Sequence, residues 1–298
     1  MLTRRMKLGL SMTGFFAAAA MVVSVIFCSN GACAKEPLGK AWPAGQYVSM
    51  DEIDHADFDQ LLQRYVDQDG MVNYAAWHKS PQDRGQLQQY LGRLSQASPG
   101  IKASRDGQLA FWINAYNATT LEGILQVYPT TSIRNHTAKL AGYNIWKDLP
   151  LLVGGKPHSL DTMEHQVLRK MGEPRIHFAI VCASIGCPRL LNEAYVPDRL
   201  KEQLDRNTRD FFSRPQNFQL DKSGTMHVSS ILDWFGGDFG DSQQAQYTAL
   251  QQYIPKSAQR IAVSPNARVV FQDYNWSLNE QSVARRSGNS AKAASGKR

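Results

Sequence analysis

Six side chains in this sequence have the chemistry of a nucleophile, a base or an orienting group: Cys182, His165, Glu164, His177, Asn114 and Asn117. A thiol attacks as its thiolate, so a catalytic cysteine needs a nearby base or surroundings that favour the charge. Cys182 ends the apolar run Ile176–Cys182, where the chain breaks into Ala183-Ser184-Ile185-Gly186 ahead of Cys187-Pro188. About seven apolar residues bounded by turn signals read as a strand buried on both faces. The end of such a strand is a common address for chemistry. His177 is near Cys182 in sequence, but residues five apart on a strand face opposite sides and lie roughly 16 Å apart, at about 3.3 Å per residue. That parity makes His177 the second choice of base. It moves the first choice to His165, with His158 behind it and Glu164 as the orienting carboxylate, a Cys–His–Glu version of the triad logic.

Each of these residues also has a plainer reading. Cys182 and Cys187 are five apart and would be a disulfide candidate in an oxidising compartment. His177, Cys182, Cys187 and one more histidine could be drawn as a zinc site, but the cysteine spacing lies outside the usual C-x₂₋₄-C range. Asp161-Thr162-Met163-Glu164 resembles a capping box, which would turn Glu164 back onto the Asp161 backbone. Asn114 and Asn117, three apart on one side of a helix, either tie down neighbouring loops or line and brace a site, where they could polarise a substrate. Left unpaired, each buried amide would cost on the order of 1–3 kcal/mol.

The elements that must position these residues follow from periodicity. Phe58, Leu61, Leu62 and Tyr65 recur at helical spacing, and a second helix spans Leu87–Leu94. The segment Leu109–Val127 is apolar on two sides, one through Leu109, Trp112, Ile113 and Tyr116 and the other through Phe111, Ala118, Leu121 and Leu125, as a buried helix is. Gly154-Gly155 marks a hairpin between Leu151–Val153 and Lys156–His158. A helix over Thr162–Met171 carries Glu164 on its apolar face, with His165 and Arg169 pointing elsewhere. Leu200–Phe212 is helical, Phe218–Leu220 pairs with Met226–Val228, and Arg268–Phe271 is a strand. Together these predict an α+β fold, a mixed sheet with a buried central strand surrounded by helices.

The ends bound the compartment. Arg4, Arg5 and Lys7 precede an apolar stretch and Ala32-Cys33-Ala34, the pattern of a signal peptide cleaved after residue 34, with an uncleaved anchor as the alternative. Cleavage would remove Cys28 and Cys33, leaving Cys182 and Cys187 as the only thiols. The overall charge is +7, with three positive charges in residues 1–34 and five in 285–298, so the 250-residue body between them carries −1. A nucleic-acid binder would hold its positive charge on the folded surface, so no nucleic-acid partner is expected. The Ser-, Ala-, Gly- and Lys-rich tail reads as a disordered basic end, and the body as one globular domain. The chain has no P-loop, no GxGxxG and no Gly-x-Ser-x-Gly elbow, so no cofactor is expected.

Several stretches in order resemble one family. They are Phe111-Trp112-Ile113-Asn114-Ala115-Tyr116-Asn117-Ala118, Ser159-Leu160-Asp161 with Glu164-His165 and Leu168-Arg169, His177–Ala183, Gly186-Cys187-Pro188, and Trp234-Phe235 with Asp238-Phe239. Over roughly Phe58 to Asn279 they look like the domain of unknown function 547, whose members occur in bacteria, often with signal peptides, and in plants beside a leucine-zipper region. No activity defines that family. The resemblance implies that Cys182, the Glu164-His165 pair and the Asn114/Asn117 helix share a site, with papain- or transglutaminase-like thiol enzymes as an analogy. Two functions are therefore expected to compete. One is a periplasmic or secreted thiol hydrolase or transferase acting on peptide or amide bonds of a peptide-like or small-molecule ligand, without membrane contact after cleavage. The other is a non-catalytic envelope or ligand-binding module closed by a Cys182–Cys187 disulfide.

Overall fold

The computed structural model describes residues 36–138 and 142–281; the signal peptide, Cys28 and Cys33 and the basic tail expected from the sequence lie outside the described residues. The described residues build around their longest helix. In order come α1 (Ala56–Tyr65), α2 (Tyr74–His78), α3 (Pro81–Leu94), α4 (Arg105–Val127), α5 (Ile145–Asp148), the hairpin β1 (Leu151–Val153) and β2 (Lys156–His158), and α6 (Leu160–Thr162). Then follow α7 (Leu200–Ser213), β3 (Phe218–Leu220), β4 (Thr225–Ser229), α8 (Ile231–Phe235), α9 (Gln243–Leu250), α10 (Lys256–Ala262) and β5 (Arg268–Gln272). The fold is α+β, and its larger sheet is mixed: β3 and β4 pair antiparallel, β4 and β5 parallel.

α4 is buried all round, as its two apolar sides require. Ser104 caps it by accepting the Gly107 N–H at 2.9 Å, and Asp51 accepts from both the Ser104 backbone and its hydroxyl. Gly107 is needed there, since a Cβ would fall 1.7 Å from Asp51 Oδ1. Pro129 ends the helix by holding Tyr128 extended, with ψ at 138°. α3 starts earlier than its apolar stripe, at Pro81 behind the Ser80 cap, because the first turn is organised by Asp83 rather than by a hydrophobic residue.

Two apolar clusters fill the interior. The larger surrounds α4 with α1, α3 and the hairpin. The smaller gathers Phe211 and Phe212 of α7, Phe218, Met226, Val228 and the residues of α9 and α10. The segment Arg175–Ala183 runs between them: Ile176 and Ala179–Val181 face the first cluster, and Phe178 faces the second, 4.7 Å from the Phe211 ring.

That position corrects the expected central strand. Pro174–Phe178 is a 3₁₀ turn and the residues after it are irregular, without sheet partners. The run is apolar on both sides because it separates two cores, which periodicity cannot distinguish from a doubly covered strand. Its buried backbone groups must still be paired, and side-chain amides pair them. Asn117 donates to Ala179 O and accepts from Val181 N–H, both at 3.0 Å, and Asn207 of α7 donates to Phe178 O at 2.5 Å.

A second correction concerns the helix over Thr162–Met171. Ser159, not Asp161, caps it by accepting Thr162 N–H at 3.2 Å. After α6 the helix widens into a π turn over Met163–Leu168, with Arg169 N–H bonded to Glu164 O, and closes as a 3₁₀ turn over Arg169–Met171. A π turn takes more residues than an α turn, and such bulges gather at functional sites. It breaks the 3.6-residue phase on which the expected orientation of His165 rested.

Candidate functional site

Side chains from the two clusters meet at a cavity of about 250 Å³. Glu164 and His165 line it from the π turn, Tyr116 from α4, His177 and Ile180 from the segment between the cores, and Cys182 and Cys187 from the loop that follows. Trp146, Trp234, Phe235, Tyr274 and Trp276 form aromatic walls, with Trp234 at the rim, 46 % exposed. The structure thus brings together four of the six expected residues: Cys182, His165, Glu164 and His177. Strand parity fails for His177, which shares the cavity with Cys182 because the intervening backbone turns. His165, expected to point away, also faces in.

Asn114 and Asn117 do not line the cavity. Both are buried, and each spends its carbonyl and an N–H on backbone. Asn114 holds both the N–H (2.9 Å) and the carbonyl (2.8 Å) of Tyr195, while Asn117 holds the segment that delivers Cys182. They act as two-armed substitutes for strand pairing, so Asn117 positions the site without entering it. His158, the reserve histidine, packs against Trp112 at 5.0 Å and lies away from the cavity.

The loop from Cys182 to Cys187 is anchored on the segment Asn275–Asn279. Ile185 N–H bonds to Ser277 O and Gly186 N–H to Asn275 O, both at 2.8 Å, and Ala183 O accepts from Asn279 N–H. Ala183 has φ +58°, a left-handed conformation that disfavours a residue bearing a Cβ. Gly186 sits close against its neighbours: a Cβ there would lie 3.0 Å from the Tyr274 ring and from Asn275 N, which would have to give by a few tenths of an ångström.

This loop turns both sulfurs, free thiols here, into one hydrogen-bonded cluster. Cys187 Sγ accepts the Cys182 N–H at 2.9 Å and the Tyr274 hydroxyl at 3.1 Å. Ser184 Oγ lies 2.9 Å from Cys182 Sγ and 3.6 Å from Cys187 Sγ, and Tyr274 also reaches Cys182 Sγ at 3.1 Å. Burial opposes charge on Cys187, but hydrogen bonds from the Cys182 thiol, the Tyr274 hydroxyl and the Cys182 N–H outweigh it and bring its pKa down to about 7. Burial, reinforced by the Cys187 sulfur, pushes the Cys182 thiol well above its usual range. Of the two sulfurs, Cys187 accepts a backbone N–H beside the shared Tyr274 hydroxyl, so the donor geometry favours it as the thiolate over the expected Cys182.

The imidazoles carry their own network. His177 is 3 % exposed, stacks on Phe235 at 4.3 Å, and has Nε2 2.7 Å from Asp238 Oδ2. Arg169 grips both oxygens of Asp238, each at 2.7 Å. That fork holds the Asp238 pKa down at about 2 against burial, with His177 contributing. An ionised Asp238 can only accept, so Nε2 carries the proton and Nδ1 is left as the basic nitrogen. Burial lowers the His177 pKa, with Asp238 working against it. His165 Nδ1 lies 3.2 Å from Arg169 Nη1. Among the described residues neither of these imidazoles hydrogen-bonds to a sulfur. Tyr116 donates to Glu164 Oε2 at 3.2 Å, and burial raises the Glu164 pKa, with the nearby His165 charge opposing.

Asp238, Ser184 and Tyr274 are the participants that sequence reasoning passed over as site residues. Asp238 stood in a family-like stretch without a role, Ser184 in the break after the apolar run, and nothing in the spacing singled out Tyr274. Among the described residues no three His, Cys, Asp or Glu side chains form a group that could hold a metal ion, so the drawn zinc set does not assemble.

No curated protein and no solved structure matches the chain. A family model described as protein of unknown function, DUF547, matches residues 101–212. The match spans α4, the π turn and both cysteines, while Asp238 and Tyr274 lie beyond it. Through this stretch the chain is similar to the DUF547 family.

Proposed function

We propose that the cavity is the active site of a thiol enzyme acting on peptide or amide bonds, with Cys187 as the attacking sulfur. The observation that carries this reading is the donor set on Cys187 Sγ, the Cys182 N–H and the Tyr274 hydroxyl, in a cavity shared with an imidazole–carboxylate pair. The thiolate adds to the carbonyl carbon, and the amide nitrogen leaves as an amine after taking a proton. His177, held in one tautomer by Asp238, is the group suited to carry that proton, as the third member of a triad orients the second. Glu164, whose pKa burial raises, faces the same cavity and accepts the Tyr116 hydroxyl. The leader over residues 1–34 further suggests export to the periplasm or beyond.

The test is the pH dependence of iodoacetamide labelling together with amidase assays on short acyl-peptide anilides. Cys187→Ser is expected to abolish labelling with a midpoint near 7 and any thiol-dependent turnover, with the near-UV circular dichroism unchanged. Labelling that survives Cys187→Ser with its midpoint intact would overturn the assignment.

A further inference from the structure

The acyl-transfer reading uses one sulfur and leaves the other unexplained. Cys182 need not be a cysteine to supply its backbone N–H to Cys187. Yet its thiol shares both hydroxyl partners of Cys187: Tyr274 lies 3.1 Å from each sulfur, and Ser184 bonds to both. Two sulfurs that each lie 3.1 Å from one hydroxyl are at most about 6.2 Å (2 × 3.1 Å) apart. The left-handed Ala183 is part of what folds the loop back so that residues five apart converge.

We propose that Cys187 and Cys182 are an attacking and a resolving thiol, and that the cavity carries out thiol–disulfide exchange with a small or peptide disulfide. This rests on Cys187 being the nucleophile of the preceding section. In the first step the Cys187 thiolate attacks one sulfur of RS–SR. The substrate S–S bond breaks, a Cys187–S–S–R mixed disulfide forms, and RS⁻ leaves and is protonated. In the second step Cys182 gives up its proton and its sulfur attacks Cys187 Sγ. The mixed disulfide breaks and the second RSH departs. Two protein thiols are oxidised to one disulfide, and one substrate disulfide is reduced to two thiols.

The asymmetry of the pair suits this order. The attacking thiol should be ionised near neutral pH and the resolving thiol held in reserve. The Cys187 sulfur is itself one of the influences that keep Cys182 protonated. Once Cys187 is tied into a neutral mixed disulfide, that part of the opposition to a Cys182 thiolate disappears, while burial, the larger part, remains. The aromatic walls around the sulfurs also fit apolar R groups.

The probe is 5,5′-dithiobis(2-nitrobenzoate), used on the full chain carrying Cys28→Ser and Cys33→Ser, so that only the two cavity thiols count. The parent is expected to release two thionitrobenzoate anions per chain and to end 2 Da lighter with no adduct, its tryptic map showing Cys182 joined to Cys187. Cys182→Ser should release one and retain a stable adduct on Cys187. A parent that keeps one or two adducts overturns exchange, whatever the variants do. A Cys187→Ser chain that reacts as fast as Cys182→Ser overturns instead the choice of nucleophile, and with it the reading beneath. Should a variant fail to fold, the parent's mass and peptide map still decide the first question.

Discussion

Asn117→Ala separates a positioning residue from a merely buried one. The amide makes two hydrogen bonds, to Ala179 O and from Val181 N–H, both at 3.0 Å and both in the interior. Removing it leaves a buried carbonyl and a buried N–H without partners, each costing about 1–3 kcal/mol, so the fold should lose roughly 2–6 kcal/mol. Asn114→Ala removes the same chemistry from Tyr195 and should cost a similar amount. The two must differ at the sulfurs. Val181 precedes Cys182, whose N–H donates to Cys187 Sγ at 2.9 Å. A hydrogen bond to a charged group contributes about 1.5–3 kcal/mol, and about 1.4 kcal/mol corresponds to one pH unit. Losing that donor would raise the pKa by about one to two units and should therefore slow Cys187 alkylation at pH 7 by roughly 5- to 50-fold. At pH 10, where the sulfur is ionised in either case, the rates should converge. The assays are urea unfolding, read at constant slope, and iodoacetamide kinetics at both pH values. The reasoning is refuted if Asn114→Ala slows alkylation as much as Asn117→Ala, or if the slowing persists at pH 10.

Two further outcomes follow from the geometry. His55 is 7 % exposed, its Nδ1 lies 2.7 Å from the Tyr90 hydroxyl, and burial chiefly lowers its pKa to about 4. Between pH 6.5 and 4 the unfolded chain takes up a proton that the folded chain refuses, so this group should remove about 3 kcal/mol of stability as the pH falls through that window. His55→Gln should flatten the slope in denaturant titrations at successive pH values, and an unchanged slope would show that another group carries it. Gly186→Ala should displace the Tyr274 ring by a few tenths of an ångström, since the new Cβ starts 3.0 Å from it, and so lengthen the hydroxyl's hydrogen bond to Cys187 Sγ. The Cys187 labelling midpoint should then rise towards that of an ordinary thiol while α4 and the two cores stay intact by circular dichroism. A midpoint that stays near 7 would mean that the Tyr274 hydroxyl contributes little to the thiolate.

The parts of the molecule that depend on near neighbours were legible in the residues themselves. The two apolar sides of α4 announced a buried helix, because 3.6-residue periodicity is a property of the chain alone. Gly154-Gly155 marked a hairpin whose register, Leu151 opposite His158, follows from the turn. Residue type also picked out the cysteines, Glu164, His165 and His177 before anything placed them together. Tertiary structure decided the rest. The run Ile176–Cys182 looked like a strand because apolar residues faced two directions, and whether two directions mean two sheet faces or two cores depends on what packs there. The π turn after Thr162 altered the facing of His165, and a one-residue change of helical phase leaves no mark in an amphipathic pattern. What sets Cys187 apart from Cys182 is one backbone N–H, while Tyr274, 87 and 92 residues downstream of the two cysteines, reaches both sulfurs. Sequence spacing cannot report a hydrogen bond between groups that only folding brings within 3 Å, and the reactivity of a thiol is set by such bonds.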